Sequence, residues 1–248
     1  MRVSVHETPD EAARAAAGVI AGTLRAKPGA VLGLATGGTM EPVYEALIEA
    51  HLAGLSFAKA TSFNLDEYVG LGPEHPQSYR RYIEERFLRH VGIDPARAHV
   101  PRGDVDPGEA ARRYEALLDG AERVDLQLLG LGRNGHIGFN EPGSPFDSRT
   151  REVALSTSTI RANARFFGAG ETPPERAVTM GIGTILRARR ILLLACGAAK
   201  AKAVRATLEG PVSEAVPATA LRSHPSVTVI LDAAAAALLG PDGRASAA

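Results

Sequence analysis

Several features that would direct a reading are scarce or missing from this sequence. One cysteine, Cys196, occurs in 248 residues, so no disulfide can form within the chain. Its place in the apolar run ILLLAC suits a buried thiol in a reducing compartment. Charge of one sign is not in excess: Lys plus Arg and Asp plus Glu each number 28, for a formal net charge of zero. Without a long-range field the chain is not expected to bind nucleic acid or a membrane surface, and any anion must be held by local groups. No run approaches the roughly eighteen apolar residues of a membrane span. The opening MRVSVHETPDEAARAAAGVI carries charges throughout and lacks the apolar stretch of a signal peptide, so a cytoplasmic location is expected. Spacings that suit zinc or calcium are absent, and no metal is expected. Internal repeats and Pro/Gly/Ser-rich linkers are also missing, which predicts one domain over 1–248, with a frayed tail at 241–248.

What is present is an alternation of short apolar runs with Ala-rich amphipathic stretches. Strands are expected at Arg2–Val5, Ala30–Ala35, Thr61–Leu65, Val124–Leu129, Ala177–Gly181, Ile191–Cys196 and Val227–Leu231. Helices are expected at Pro9–Lys27, Glu41–Ala53, Pro76–His90, Pro107–Gly120, Thr159–Phe167, Ala199–Glu209 and Ala218–Arg222. Near-continuous apolar strands separated by helices predict an α/β fold: an open, doubly wound, mostly parallel, Rossmann-like sheet with helices on both faces. Ligands of such sheets bind beyond the carboxyl ends of the strands. The residues of interest are therefore those following Ala35, Leu65, Leu129, Gly181 and Cys196.

Two of these loops suit an anion. Thr36-Gly37-Gly38-Thr39 stands between a strand and a helix with Pro42 in its first turn, so backbone N–H groups, a helix start and two hydroxyls can converge there. The alternative is a plain strand–helix turn; neither the Walker nor the dinucleotide pattern is matched. A phosphate monoester also recruits cations, for which Arg165 and Lys200 are candidates unless they are solvated surface charges. Two other loops suit proton transfer. Asp66 follows a strand in SFNLDEYVGL, and His136 lies among Gly130, Gly132 and Gly135 in LLGLGRNGHIGFNEPGS, with Glu141 five residues on. A carboxylate and an imidazole on neighbouring strand ends can open a sugar ring and move a proton between adjacent carbons. A turn cap at Asp66 and a structural hydrogen bond at His136 are the competing readings.

LATGGTMEPVYEAL, SFNLDEYVGLGPEHPQSYRRYIEERF, LLGLGRNGHIGFNEPGSPFDSRTR, ANARFF, AVTMGIGTIL and the GAAKA loop together resemble the glucosamine-6-phosphate deaminase family, in that family's order and over nearly the whole chain. The resemblance implies that Asp66 is the base moving a proton between C2 and C1. It implies that His136 opens the ring and that Glu141 tunes it. Thr36, Gly37, Gly38 and Thr39, with Arg165 and Lys200, become the phosphate cradle, and STSTIRANARFF part of a lid over approximately 151–175. The implied reaction turns glucosamine 6-phosphate into fructose 6-phosphate and ammonia with no cofactor, and the implied partner is the small-molecule sugar phosphate.

Two departures from the family pattern stand out. Asn134 occupies a position where some members carry Asp; an amide can orient the imidazole but brings no charge, which leaves that role to Glu141. Ser144 and Arg151 match part of the basic patch by which hexameric members bind an acetylated effector, but Val153 replaces the expected lysine and the chain ends soon after its last strand. A monomer or small homo-oligomer without that activation is expected. The rival 6-phosphogluconolactonase pattern carries GxDGHTAS-like residues where this chain reads GRNGHIGFNEP. A non-catalytic sugar-phosphate sensor in a transcription regulator would need a DNA-binding segment, and none is legible.

Overall fold

The structure, a computed structural model, describes residues 1–164, 167, 168 and 170–241. The chain opens with β1 (Arg2–His6) and α1 (Pro9–Ala26). Thr8 and Glu11 form a reciprocal capping box at the start of α1, and Pro9 fills its first position. A stripe of Ala12, Ala13, Ala16, Ala17, Ile20, Ala21 and Leu24 is buried, small enough to bring the helix close to the sheet. Then come β2 (Val31–Leu34), α2 (Glu41–Leu52), β3 (Thr61–Asn64) and β4 (Asp66–Tyr68). A helical stretch follows in which α3 (Tyr79–Ile83) passes through a π-type turn (Glu84–Leu88) into α4 (Arg89–Val91). The remainder is β5 (Ala98–His99), α5 (Pro107–Gly120), β6 (Leu126–Gly130), β7 (Arg151–Ala154), α6 (Thr157–Ala164), β8 (Arg176–Thr179), α7 (Ile182–Ile185), β9 (Ile191–Ala195), α8 (Ala201–Glu209) and β10 (Val227–Asp232).

Seven strands form one parallel sheet in the order β1-β10-β9-β6-β2-β3-β5. All five residues of β9 are buried, and since neighbours on a strand face opposite ways, both faces of the sheet are covered. From β2 the chain winds outward through β3 to β5, then returns to the other side of β2 at β6. The switch point therefore lies between the carboxyl ends of β2 and β6, where an open α/β sheet leaves a crevice. The fold is the doubly wound one that the alternation of apolar runs predicts.

Three expectations need correction. The run at Ala177–Gly181 does not join the parallel sheet: β8 pairs antiparallel with β4 and β7 in a separate three-stranded sheet. Asp66 accordingly begins a strand rather than a loop; Arg151–Ala154, at the start of the expected lid, forms the edge strand β7. Its alternating half-buried and exposed residues mark a one-sided strand. The helix expected from Pro76 starts at Tyr79, because two turns hold the preceding chain and Ser78 supplies the cap to Arg81 N–H at 3.0 Å. Smaller shifts are the start of α6 at Thr157 and a 3-10 rather than α conformation at Pro217–Ser223.

Candidate active site

The small sheet builds one wall of the crevice. Asp66 lies opposite Thr179 across the β4–β8 pair and is 5% exposed. Burial, reinforced by the adjacent Glu67 carboxylate, pushes the Asp66 carboxyl from 3.8 up to about 8, although the Thr179 hydroxyl and Phe139 N–H pull it back. A carboxyl so placed can take up and return a proton near neutral pH. Gly138, at φ +56, lays the backbone of the His136 loop directly on this group. A Cβ there would stand 3.2 Å from Asp66 Oδ2 and 3.1 Å from Thr179 Oγ1, so the approach requires glycine.

Glu67 has a different task. It is 1% exposed and accepts the N–H groups of Tyr68, Tyr79 and Arg80 at 2.8, 2.9 and 3.0 Å. Burial pushes its carboxyl up to about 7 against the pull of those three donors. The capping role considered for Asp66 thus falls to its neighbour, which pins the start of α3.

Beyond β6 the chain closes a tight turn, with Gly132 N–H on His136 O at 2.9 Å and Gly135 N–H on Gly132 O at 3.0 Å. His136 Nδ1 is buried without a hydrogen-bond partner and faces Glu141 Oε2 at 3.6 Å. The side chain retains 27% exposure, none of it at Nδ1. Asn134 holds the loop in place but does not touch the ring. Its amide donates to Glu141 Oε2 at 2.7 Å and its carbonyl oxygen accepts His136 N–H at 3.2 Å. The expectation that this amide orients the imidazole directly is corrected: it acts through the carboxylate and the backbone. Burial alone would raise the Glu141 carboxyl, but the His136 ring, the Thr159 hydroxyl and the Asn134 amide together hold it at about 2. Glu141 is therefore a fixed negative charge behind the ring. Its other oxygen accepts the hydroxyls of Ser156 (3.0 Å) and Thr159, and so binds the start of α6 to the same loop.

The anion side lies across the switch point. The chain turns at Gly37 (φ +111), with Met40 N–H on Gly37 O at 2.8 Å, while Gly38 needs no left-handed backbone. Met40 precedes α2 and gives it no side-chain cap, so the first N–H groups of that 12-residue helix remain for another acceptor. After β9, Asp232 accepts Gly197 N–H at 3.0 and 2.9 Å and Ala235 N–H at 2.7 Å, and so fixes the turn that carries Lys200. Burial lowers the pKa of the Lys200 ammonium and the nearby Arg133 guanidinium lowers it further. Neither cation is matched to a carboxylate among the described residues, an arrangement that favours an anion between them. Arg165 lies outside the described residues.

The structure thus gathers Asp66, Asn134, His136 and Glu141 around one loop and sets Thr36–Thr39 and Lys200 on the adjoining strand ends. Sequence reasoning overlooked Arg133, Thr179, Ser156, Thr159 and Asp232. Arg133 was open to detection as the single cation in the glycine loop that carries His136; the others come together only through strand pairing. Among the described residues no three His, Cys, Asp or Glu side chains gather as metal ligands.

Comparison with known proteins shows the family of the chain. A glucosamine-6-phosphate deaminase of Rhodopirellula baltica is 54% identical over 241 residues, covering 96% of each chain. Glucosamine-6-phosphate deaminase 1 of Bacillus subtilis is 51% identical over 240 residues, covering 96% of this chain and 99% of that one. The solved structure of a monomeric glucosamine-6-phosphate deaminase superposes with a TM-score of 0.93 at 50% identity, over 96% of this chain and 100% of the other. A 6-phosphogluconolactonase from Trypanosoma cruzi shares the fold, with a TM-score of 0.78 at 24% identity over 96% of both chains. The family profile described as glucosamine-6-phosphate isomerases/6-phosphogluconolactonase matches residues 4–230. On this evidence the chain belongs to the glucosamine-6-phosphate isomerase/6-phosphogluconolactonase family.

Proposed function

We propose that this chain converts glucosamine 6-phosphate and water into fructose 6-phosphate and ammonia. The observation that carries the reading is the buried Asp66 carboxyl, lifted to about 8 and packed against the loop that presents His136. His136, backed by the fixed charge of Glu141, moves the proton between the ring oxygen and the C1 hydroxyl as the sugar opens. Asp66 then removes the C2 proton from the open aldehyde, which gives an enaminol, and returns a proton to C1. The product is a C2 imine; water adds to it and ammonia leaves, so the ketose forms with no change of overall oxidation state. Every step is a proton transfer, the opening of the ring, the addition of water or the departure of ammonia. The uncapped start of α2 with Thr36–Thr39, and Lys200 beside Arg133, hold the phosphate, while α6 covers the sugar as the central part of a lid.

The chain has no charge excess and a single thiol, which fits a cytoplasmic enzyme acting on a small sugar phosphate, as a monomer or small homo-oligomer. Parallel assays with glucosamine 6-phosphate and with 6-phosphogluconolactone, both in the presence of a chelator, test the assignment. Equimolar ammonia and fructose 6-phosphate from the first, with no acid released from the second, is the expected result. Lactone hydrolysis without ammonia would reverse it.

A further inference from the structure

The short helix α3 touches the proposed phosphate loop and is linked to α6 through Tyr68 of β4, although neither the reaction nor the fold requires it. Its Tyr82 hydroxyl donates to Gly37 O, in the middle of Thr36–Thr39, at 3.1 Å. One turn earlier the Tyr79 ring stacks on Phe139 of the His136 loop, with centroids 5.9 Å apart and planes 10° apart. The Tyr79 hydroxyl meets the Tyr68 hydroxyl at 3.1 Å. The Tyr68 hydroxyl in turn accepts from the amide of Asn163, on α6, at 2.7 Å. The whole assembly is held at its base by Glu67, whose carboxylate takes the Tyr68, Tyr79 and Arg80 N–H groups. Tyr68 follows Asp66 by two residues on β4, so the path runs beside the proposed base.

A pair of facing hydroxyls adds little to a core that Tyr68, Tyr79 and Phe139 already fill as apolar surface. Their polar ends link the anion loop, where the Tyr79 hydroxyl also bonds the Thr36 side chain, to Asn163 on α6. Building on the proposed phosphate site, we infer that Tyr82, Tyr79, Tyr68 and Asn163 form a positioning chain that couples occupation of the Thr36–Thr39 loop to the placement of α6 over the reaction centre. An anion seated on that loop fixes Gly37, Gly37 fixes α3 through Tyr82, and α3 sets the hydroxyl pair that receives Asn163. A substrate thus orders its own cover by its phosphate, before ring opening begins. Ser156 and Thr159 hold the other end of α6 on Glu141, so α6 is registered at both ends by groups of the site.

The test uses inorganic phosphate as the probe and hydrogen exchange of the α6 amides as the readout, on the full chain. Wild-type protein is expected to bind phosphate and to exchange α6 amides about tenfold more slowly when saturated, because local opening is then less frequent. Tyr79→Phe keeps the ring stacked on Phe139, and Asn163→Ala lies on partly exposed α6, so neither should disturb the core. Asn163→Ala is expected to bind phosphate within twofold of wild type and Tyr79→Phe, which also gives up its bond to Thr36, a few-fold more weakly; at saturating phosphate both are expected to lose the slowing, and the double variant to behave like either single one. Retention of the slowing in Tyr79→Phe or Asn163→Ala would overturn the coupling, as would phosphate binding to wild type without any slowing. Failure of wild type to bind phosphate at all would overturn the reading of the loop itself.

Discussion

Replacing Asp66 by Asn should abolish turnover and yet stabilise the protein in alkaline solution. The Asp66 carboxyl ionises at about 8 in the fold against 3.8 in the ordinary state. The unfolded chain therefore sheds this proton first, and folding stability falls as pH rises from about 4 to about 8. At about 1.4 kcal/mol per unit, the difference sets a ceiling of about 6 kcal/mol on the cost of holding the ionised group. If a third of it is realised, Asp66→Asn gains about 2 kcal/mol, or about 4–8 °C in Tm for a chain of this size. The neighbouring Glu67 carboxylate helps to raise Asp66, so the difference between the melting curves reports Asp66 together with its coupling to Glu67. Thermal unfolding at pH 5 and pH 9 is the assay: the variant's advantage over wild type should be about three times larger at pH 9 than at pH 5. Equal differences at both would refute the assignment of a raised, buried carboxyl at Asp66. The same value predicts catalysis. With about a tenth of Asp66 ionised at pH 7 and about nine-tenths at pH 9, kcat/KM should climb about tenfold between them.

Glu141→Gln removes the fixed charge behind His136 and leaves one acceptor oxygen for Asn134, Ser156, Thr159 and the ring. Losing two charge-assisted hydrogen bonds at about 1.5 kcal/mol each lowers kcat about 100-fold, and steady-state rates near wild type would contradict the role given to that carboxylate. Lys200→Met is expected to raise KM for the sugar phosphate about 100-fold and Arg133→Ala about tenfold, the exposed guanidinium being better screened, with kcat changed less than KM in both. Asp232→Asn loosens the Gly197 turn and should weaken inorganic phosphate binding several-fold, while leaving the pH midpoint of kcat/KM in place; a titration of phosphate binding decides it.

Much of this was legible from residue patterns. β9 and β6 read as strands because ILLLA and LQLLG are near-continuous apolar runs, and α1 is placed from Pro9 by its Ala-rich amphipathic stretch. The anion turn and the His136 loop were found because glycines at strand ends locate the crevice. The second sheet was not legible. Asp66–Tyr68 has only three residues, two of them acidic, and its pairing with β8 depends on contacts more than a hundred residues away in sequence. For the same reason the roles of Thr179 and of the Ser156–Thr159 tie to Glu141 lay beyond local reasoning. Glu67 and Asp66 are adjacent carboxylates of similar local context, and only the position of the α3 N–H groups separates a helix anchor from a base.

Following a deuterium label placed at C2 of glucosamine 6-phosphate tests the central claim, that Asp66 carries the C2 proton. With wild-type protein at pH 9 the label should leave C2 in step with ammonia release and appear at C1 of fructose 6-phosphate or in water. With Asp66→Asn it should remain at C2 over the same period, even as phosphate binding persists. Movement of the label in Asp66→Asn at a rate near that of wild type would contradict the account.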